Sequence, residues 1–183
     1  MRKIQPGERL GGDRVELRLV TLDDVSERYV GWLRNPEVNK YLETRFSEQT
    51  LESVRSFVAS MVDSTHSYLF AIVEKSTGAH VGNVKIGPVN PHHSFADVSY
   101  FLGERASWGK GLGTEAVRLV TAFGFERLGL HRCQAGLYAS NVGSQRVLEK
   151  AGYTYEGKLE KQLRSGDLWE DHVWFGALRE TWR

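Results

Sequence analysis

The segment Trp108-Gly109-Lys110-Gly111-Leu112-Gly113-Thr114-Glu115-Ala116 places three glycines in five residues. Without side chains, successive backbone N–H groups can converge on an anion, and a helix starting within the segment adds partial positive charge. Its natural ligand is therefore a phosphate or pyrophosphate. The residues do not spell GxxxxGKS/T, which disfavours a Walker-type loop, and they do not fit GxGxxG, the dinucleotide fingerprint. A plain glycine-rich turn capped by Thr114 is the competing reading of the same residues.

A second polar segment, Asn141-Val142-Gly143-Ser144-Gln145-Arg146-Val147-Leu148-Glu149-Lys150-Ala151-Gly152-Tyr153, lies downstream. Asn141 can cap a helix, and Ser144 sits in its first turn, where a hydroxyl bonds either backbone or a ligand. Upstream, WLRNPEVNKYLE gathers Trp32, Arg34, Asn35, Glu37 and Tyr41 around a proline turn, an aromatic and polar mixture able to clasp a sugar or a peptide. The same residues suit an amphipathic helix with Trp32 packed and Arg34 and Glu37 solvated. Asn83 and Lys85 share one face of a strand, directed either at that pocket or at water. Among the six histidines, His66, His80 and His131 fall at loop or strand edges, and adjacent His92 and His93 point apart on extended backbone. Substrate contact stays open for His93 and His172, and no metal site is expected.

These side chains must be held by the elements between them. Val15, Leu17 and Leu19 alternate with charged residues, predicting a strand over 15–20. Thr21 ahead of Leu22-Asp23-Asp24 predicts a helix start, with the helix running to about Arg34 until Asn35-Pro36 stops it. Behind Thr50, the spacing of Leu51, Val54, Phe57, Val58 and Met61 predicts a helix with one buried face. Strands are predicted over 68–75, 80–89 and 95–102, a meander whose first turn is Ser76-Thr77-Gly78. A helix from the glycine loop to about Gly129, a strand over 131–138, a helix over 142–150 and strands near 153–159 and 171–178 complete the chain. Consecutive central strands without intervening helices imply a mixed α/β (α+β) sheet, mostly antiparallel and flanked by helices.

With 183 residues and no linker or repeat, the chain has the size of one domain. Its single cysteine, Cys133, excludes an intramolecular disulfide and paired-thiol zinc or redox motifs. The 24 basic residues nearly balance 23 acidic ones without a charge block, which points away from a nucleic-acid partner. The N-terminus lacks the apolar stretch of a signal peptide, and no run of about 18 apolar residues occurs, so a soluble cytoplasmic protein without a membrane partner is expected. The C-terminal aromatics Trp169, Trp174, Phe175 and Trp182 suit either the core or a subunit contact, which leaves a homodimer open.

Together, the glycine loop and the 141–153 segment resemble the GNAT (GCN5-related N-acetyltransferase) superfamily over about residues 14–178. The branch they resemble holds ribosomal-protein N-terminal acetyltransferases and nucleotide-amino-sugar N-acetyltransferases. In that family Gln/Arg-x-x-Gly-x-Gly/Ala wraps the pyrophosphate of CoA, and N-x-x-S-x-x-x-x-E-K-x-G-F/Y marks the helix beside the thioester. Trp108 stands here in place of the Gln or Arg, leaving the grip chiefly to backbone donors from Gly109 to Thr114. The resemblance implies one N-acetyltransferase domain using acetyl-CoA as co-substrate, with the pantetheine arm along Phe101-Leu102-Gly103 and beside Asn141. It implies a base at Asp97, where relatives often carry glutamate; one methylene shorter, Asp97 suits relay through water better than direct abstraction. Leu148 matches the tyrosine acid of many relatives, so the resemblance moves support of the departing thiolate to Ser144. The implied acceptor is a primary amine, either on an amino sugar, nucleotide-linked ones included, or at a protein N-terminus. A catalytically silent acyl-CoA-binding sensor or partner protein is the alternative, since that tyrosine is missing.

Overall fold

The computed structural model describes residues 4, 5 and 7–183. An eight-stranded sheet runs in the order β1-β2-β3-β4-β5-β6-β8-β7. Its strands are β1 (Arg9–Gly11), β2 (Val15–Leu19), β3 (Tyr68–Glu74), β4 (Ala79–Asn90), β5 (Phe95–Leu102), β6 (Arg132–Tyr138), β7 (Thr154–Ser165) and β8 (Leu168–Leu178). Every neighbouring pair is antiparallel except β5 with β6. The helices are α1 (Glu27–Arg34), α2 (Pro36–Asn39), α3 (Leu51–Asp63), α4 (Leu112–Glu126) and α5 (Val142–Lys150).

Strand alternation divides the apolar residues between two layers. On one face, Leu17, Phe70, Ile72, Val84, Ile86, Val98 and Cys133 pack with Val117, Val120 and Phe123 of α4 and Leu148 of α5. On the other, Leu69, Ala71 and Val73 of β3 meet Val30, Trp32 and Leu33 of α1 and Val54 and Val58 of α3. Among the described residues, Phe101 is the apolar residue of β5 that packs against this second cover. Beyond it, the same face of β5, β6 and β8 is bordered by the segment after α2 and by the β7–β8 hairpin.

Three expectations change. The strands near 153–159 and 171–178 run on to a tight turn, β7 to Ser165 and β8 from Leu168, because their pairing continues past a bulge. Thr21 does not open the first helix: residues 22–24 form an isolated helical turn, and α1 starts at Glu27, with Ser26 accepting the N–H of Tyr29 at 3.3 Å. The turn closes on itself because the Asp24 carboxylate accepts from the Thr21 N–H at 2.8 Å and from the Arg18 guanidinium at 2.6 and 2.8 Å. On α3 the buried stripe is narrower than its spacing suggests. Val54 and Val58 are buried, but Leu51 and Phe57 keep 42% and 44% exposure, because the helix rests on β3 and α1 only along that stripe. Thr50 does cap it, accepting from the Ser53 N–H at 3.0 Å.

Candidate active site

The parallel pairing of β5 with β6 lasts three residues, Phe95↔Arg132, Ala96↔Cys133 and Asp97↔Gln134. Past that point β5 stays with β4 while β6 stays with β8, and the two strands part. The facing edges of residues 99–102 and 136–138 keep backbone groups that need partners. An extended ligand carrying amides can supply them. In the middle of an eight-stranded sheet, Ser99 and Gly136 are solvent-exposed, and they mark the floor of this opening.

The glycine loop lies at the end of β5. Gly109 and Gly111 take left-handed φ values of 74° and 81°, and α4 begins at Leu112. Among the described residues none accepts a hydrogen bond from the N–H groups of residues 109–114. They form an arc at a helix N-terminus, the arrangement that attracts phosphate. Its outer side is tied down: the Lys110 carbonyl accepts from Arg14 Nη1 at 2.9 Å, and the Glu115 carboxylate accepts from the Arg14 N–H at 3.0 Å. Lys110 Nζ stands 3.4 Å from Glu74. Trp108 donates its indole N–H to the Leu102 carbonyl at 2.9 Å, so it fastens the loop to β5. Gly103 admits the Trp32 ring, which a Cβ there would strike.

Across the opening, Asn141 caps α5 and its Oδ1 accepts from the Ser144 N–H at 3.2 Å. The Tyr100 hydroxyl donates to Ser144 Oγ at 3.1 Å. Burial pushes the Tyr100 phenol up to about 12, partly offset by Ser144, so it remains a donor at neutral pH. Ser144 is thereby left with its own hydrogen free to donate. Leu148 is a core residue, 2% exposed.

The open face carries the polar groups. Asp97 Oδ1 accepts from Gln134 Nε2 at 2.8 Å, and half-buried Lys85 pairs across the sheet with Ser99. Tyr41 stacks near Tyr138, centroids 5.8 Å apart, and donates to the Ser140 carbonyl at 3.1 Å. The Tyr138 hydroxyl donates to Glu43 and accepts from Arg45, each at 2.8 Å, and Arg45 also reaches the Arg164 carbonyl at 2.8 Å. Burial first, then Glu43, raises the Tyr138 pKa.

The residues expected at an acceptor pocket are divided by the structure. Tyr41 and Lys85 reach the open face. Trp32 lies in the α1 core with its indole N–H on Glu104 at 2.9 Å, and Asn83, 2% exposed, meets His80 Nε2 at 2.8 Å. Arg34 donates to the Gln49 carbonyl at 2.7 Å, Asn35 caps α2 through the Glu37 N–H at 3.0 Å, and Glu37 pairs with Arg105. Those last three hold α1 and α2 in place. Glu43, Arg45, Gln134, Gly136, Tyr138 and Ser140 were not foreseen. A glycine in mid-strand was the available signal for Gly136, whereas Glu43 and Arg45 belong to a short turn without periodicity.

Residues 14–154 match the family model described as an acetyltransferase (GNAT) domain. The chain belongs to the GNAT acetyltransferase family. The Bacillus subtilis (strain 168) protein named "Probable N-acetyltransferase YjcK" is 40% identical over 112 residues, 61% of this chain and 61% of that relative's own length. "Uncharacterized N-acetyltransferase p20" of Bacillus licheniformis is 27% identical over 179 residues, 96% of this chain and 98% of that protein. The GNAT fold is shared with RimL, a ribosomal L7/L12 α-N-protein acetyltransferase solved with coenzyme A, at a TM-score of 0.83 and 15% identity over 93% of this chain and 98% of that one. An acyl-CoA combines a pyrophosphate with an extended amide-bearing arm, and this GNAT chain fits both halves, with its N–H arc and its parted strand edges.

Proposed function

We propose that this GNAT protein moves an acetyl group from acetyl-CoA to a primary amine, the acceptor being an amino sugar, nucleotide-linked ones included, or a protein N-terminal amine. One observation carries the reading: the uncommitted N–H arc of residues 109–114 leads into the parting of β5 and β6, whose floor opens on a polar face. The arc from Gly109 to Thr114 holds pyrophosphate, and the β5 edge at Phe101, Leu102 and Gly103 bonds the pantetheine amides, with Asn141 facing it. Acetyl-CoA supplies a thioester with an electrophilic carbonyl carbon. β5 backbone N–H groups polarise that carbonyl. Ser144, whose Oγ is already satisfied by Tyr100, donates to the departing sulfur. Asp97, the expected base, has one carboxylate oxygen engaged by Gln134, and here it draws the acceptor's ammonium to the floor of the opening, which Tyr41, Tyr138 and Lys85 border.

RimL is named for a protein N-terminus, and a spermidine N-acetyltransferase from Vibrio cholerae shares the fold at a TM-score of 0.81 and 16% identity. A polyamine therefore joins the test. Calorimetric titration with acetyl-CoA, with ATP and NAD as controls, is followed by thiol-release assays with a free-α-amine peptide, a nucleotide-linked amino sugar and spermidine. Selective acetyl-CoA binding with turnover of the sugar or the peptide supports the proposal, and turnover of the sugar alone removes the N-terminal reading. Binding without turnover of any amine favours the silent acyl-CoA sensor, the reading that Leu148 in the core keeps in view.

A further inference from the structure

The inference rests on the reading that acyl transfer takes place where β5 and β6 part. Gly136 is exposed at the centre of β6, and a Cβ there would collide with Nε2 of His172. The imidazole thus lies against the β6 backbone at the mouth of the opening, seated on Trp174 with centroids 4.7 Å apart. Its other nitrogen, Nδ1, is 2.6 Å from Oε1 of Gln162. With the Gln162 oxygen accepting there, the hydrogen sits on Nδ1 and the lone pair on Nε2, and this is the tautomer that the proposal below requires.

Gln162 reaches His172 because β7 bulges. The register passes from Leu159↔His172 to Leu163↔Glu170, so residues 160–162 stand against Asp171 alone. The Asp171 carboxylate holds the bulge, accepting from the Lys161 N–H at 3.0 Å and pairing with Lys158 at 2.7 Å. Lys161 adopts a left-handed φ of 49°, a conformation that residues with a side chain rarely take. Bulges beside active sites re-aim side chains, and this one aims Gln162.

We propose that His172, oriented by Gln162, is the general base that takes the proton of the acceptor amine, while Asp97 holds the ammonium. The ammonium gives one proton to Nε2, and the freed nitrogen lone pair attacks the thioester carbon. The C–N bond forms, the C–S bond breaks, and sulfur leaves with the electron pair, supported by Ser144. A second N–H proton is shed as the amide forms and ends on sulfur, and the imidazolium returns its proton to solvent. The net change is ammonium plus thioester to amide, thiol and one proton.

The electrostatics around the ring agree with this role. Burial lowers the His172 pKa below the usual 6.5, opposed by the Glu43 carboxylate, which accepts from the Tyr138 hydroxyl. Tyr138 on β6 is opposite in register, Gln162 on β7 is neutral, and Asp171 is taken by Lys158. The ring is neutral at pH 7 and loses base function as pH falls through its lowered pKa.

Long-range proton–nitrogen NMR of the full chain with labelled histidine reads the tautomer without any acceptor, and a hydrogen on Nδ1 with bare Nε2 is expected. With the amine that turns over in the panel, His172→Gln is expected to lower kcat about 100-fold or more near pH 7. It should leave acetyl-CoA affinity unchanged and abolish the acid limb of the pH profile. Gln162→Leu, which keeps the imidazole, is expected to lower kcat less and to shift that limb. A hydrogen on Nε2 overturns the proposal, as does a folded His172→Gln enzyme whose kcat stays within about twofold of the parent. Absence of turnover in the parent protein defeats the acyl-transfer reading instead, and the tautomer still judges the assignment of His172.

Discussion

At the residue scale, the proposed mechanism assigns carbonyl polarisation, leaving-group support, acceptor binding and proton removal to groups that can be tested singly. Ser144→Ala is expected to lower kcat about tenfold, the worth of one hydrogen bond made in the transition state, with acetyl-CoA affinity unchanged. Tyr100→Phe leaves Ser144 without its fixed donor and is expected to show a smaller fall of the same kind, with kcat and KM measured separately. Asp97→Asn is expected to raise the acceptor KM about tenfold while sparing acetyl-CoA affinity, because it removes attraction for a cation and leaves the hydrogen-bonded geometry with Gln134. A kcat loss in Asp97→Asn as large as in His172→Gln would return the base role to Asp97. Gly136 and His172 show why a glycine in a strand merits a question about what approaches it.

At the element scale, the loop between β5 and α4 is a backbone device whose shape is set from outside. Gly111 needs its left-handed φ of 81°, and a Cβ there would also come within 2.8 Å of Arg14 Nη1. Gly111→Val is thus expected to raise the acetyl-CoA dissociation constant at least tenfold, measured by calorimetry on the folded variant. Arg14→Ala, which frees the Lys110 carbonyl, is expected to weaken binding by a smaller factor, about threefold, since loop order and not a ligand contact is lost. Unchanged affinity in both variants would remove the loop from the binding site. The β7 bulge works in the same way for the other half of the site: backbone irregularity, held by Asp171, converts a strand residue into a support for His172.

At the scale of the whole molecule, helices pack on both faces of the sheet at β3; α4 and α5 continue along one face to β6 and β8, and the opposite face there is left to the site, while the Arg18–Asp24 fork holds the turn that leads into α1. Burial works against ionised Asp24, but Arg18, the Thr21 N–H and His80 outweigh it and hold its carboxyl below the usual 3.8. The folded pKa is depressed, so this stabilisation is complete above the unfolded value and is lost as pH falls through the folded one. Asp24→Asn is expected to cost about 1–3 kcal/mol at neutral pH in denaturant melts, and to depend less on pH below about 4 than the parent. Most of the architecture was legible beforehand. β2 to β6, α3, α4 and α5 each carry a period of two or about 3.6, or a glycine-rich start, and these are local properties of consecutive residues. The turn at 22–24 escaped because Arg18 and Asp24 meet through side chains that no periodicity records. For the same reason the sequence alone determined the strands of the sheet, its flanking helices and the glycine loop before α4, together with the GNAT resemblance. Only the tertiary structure decided that Trp32 and Asn83 pack in the core, that Tyr100 serves Ser144, and that His172 meets Gln162 and Gly136. Those contacts join three strands through the β6–β8–β7 pairing and a bulge, and strand register is fixed by packing across the sheet, which no single segment encodes.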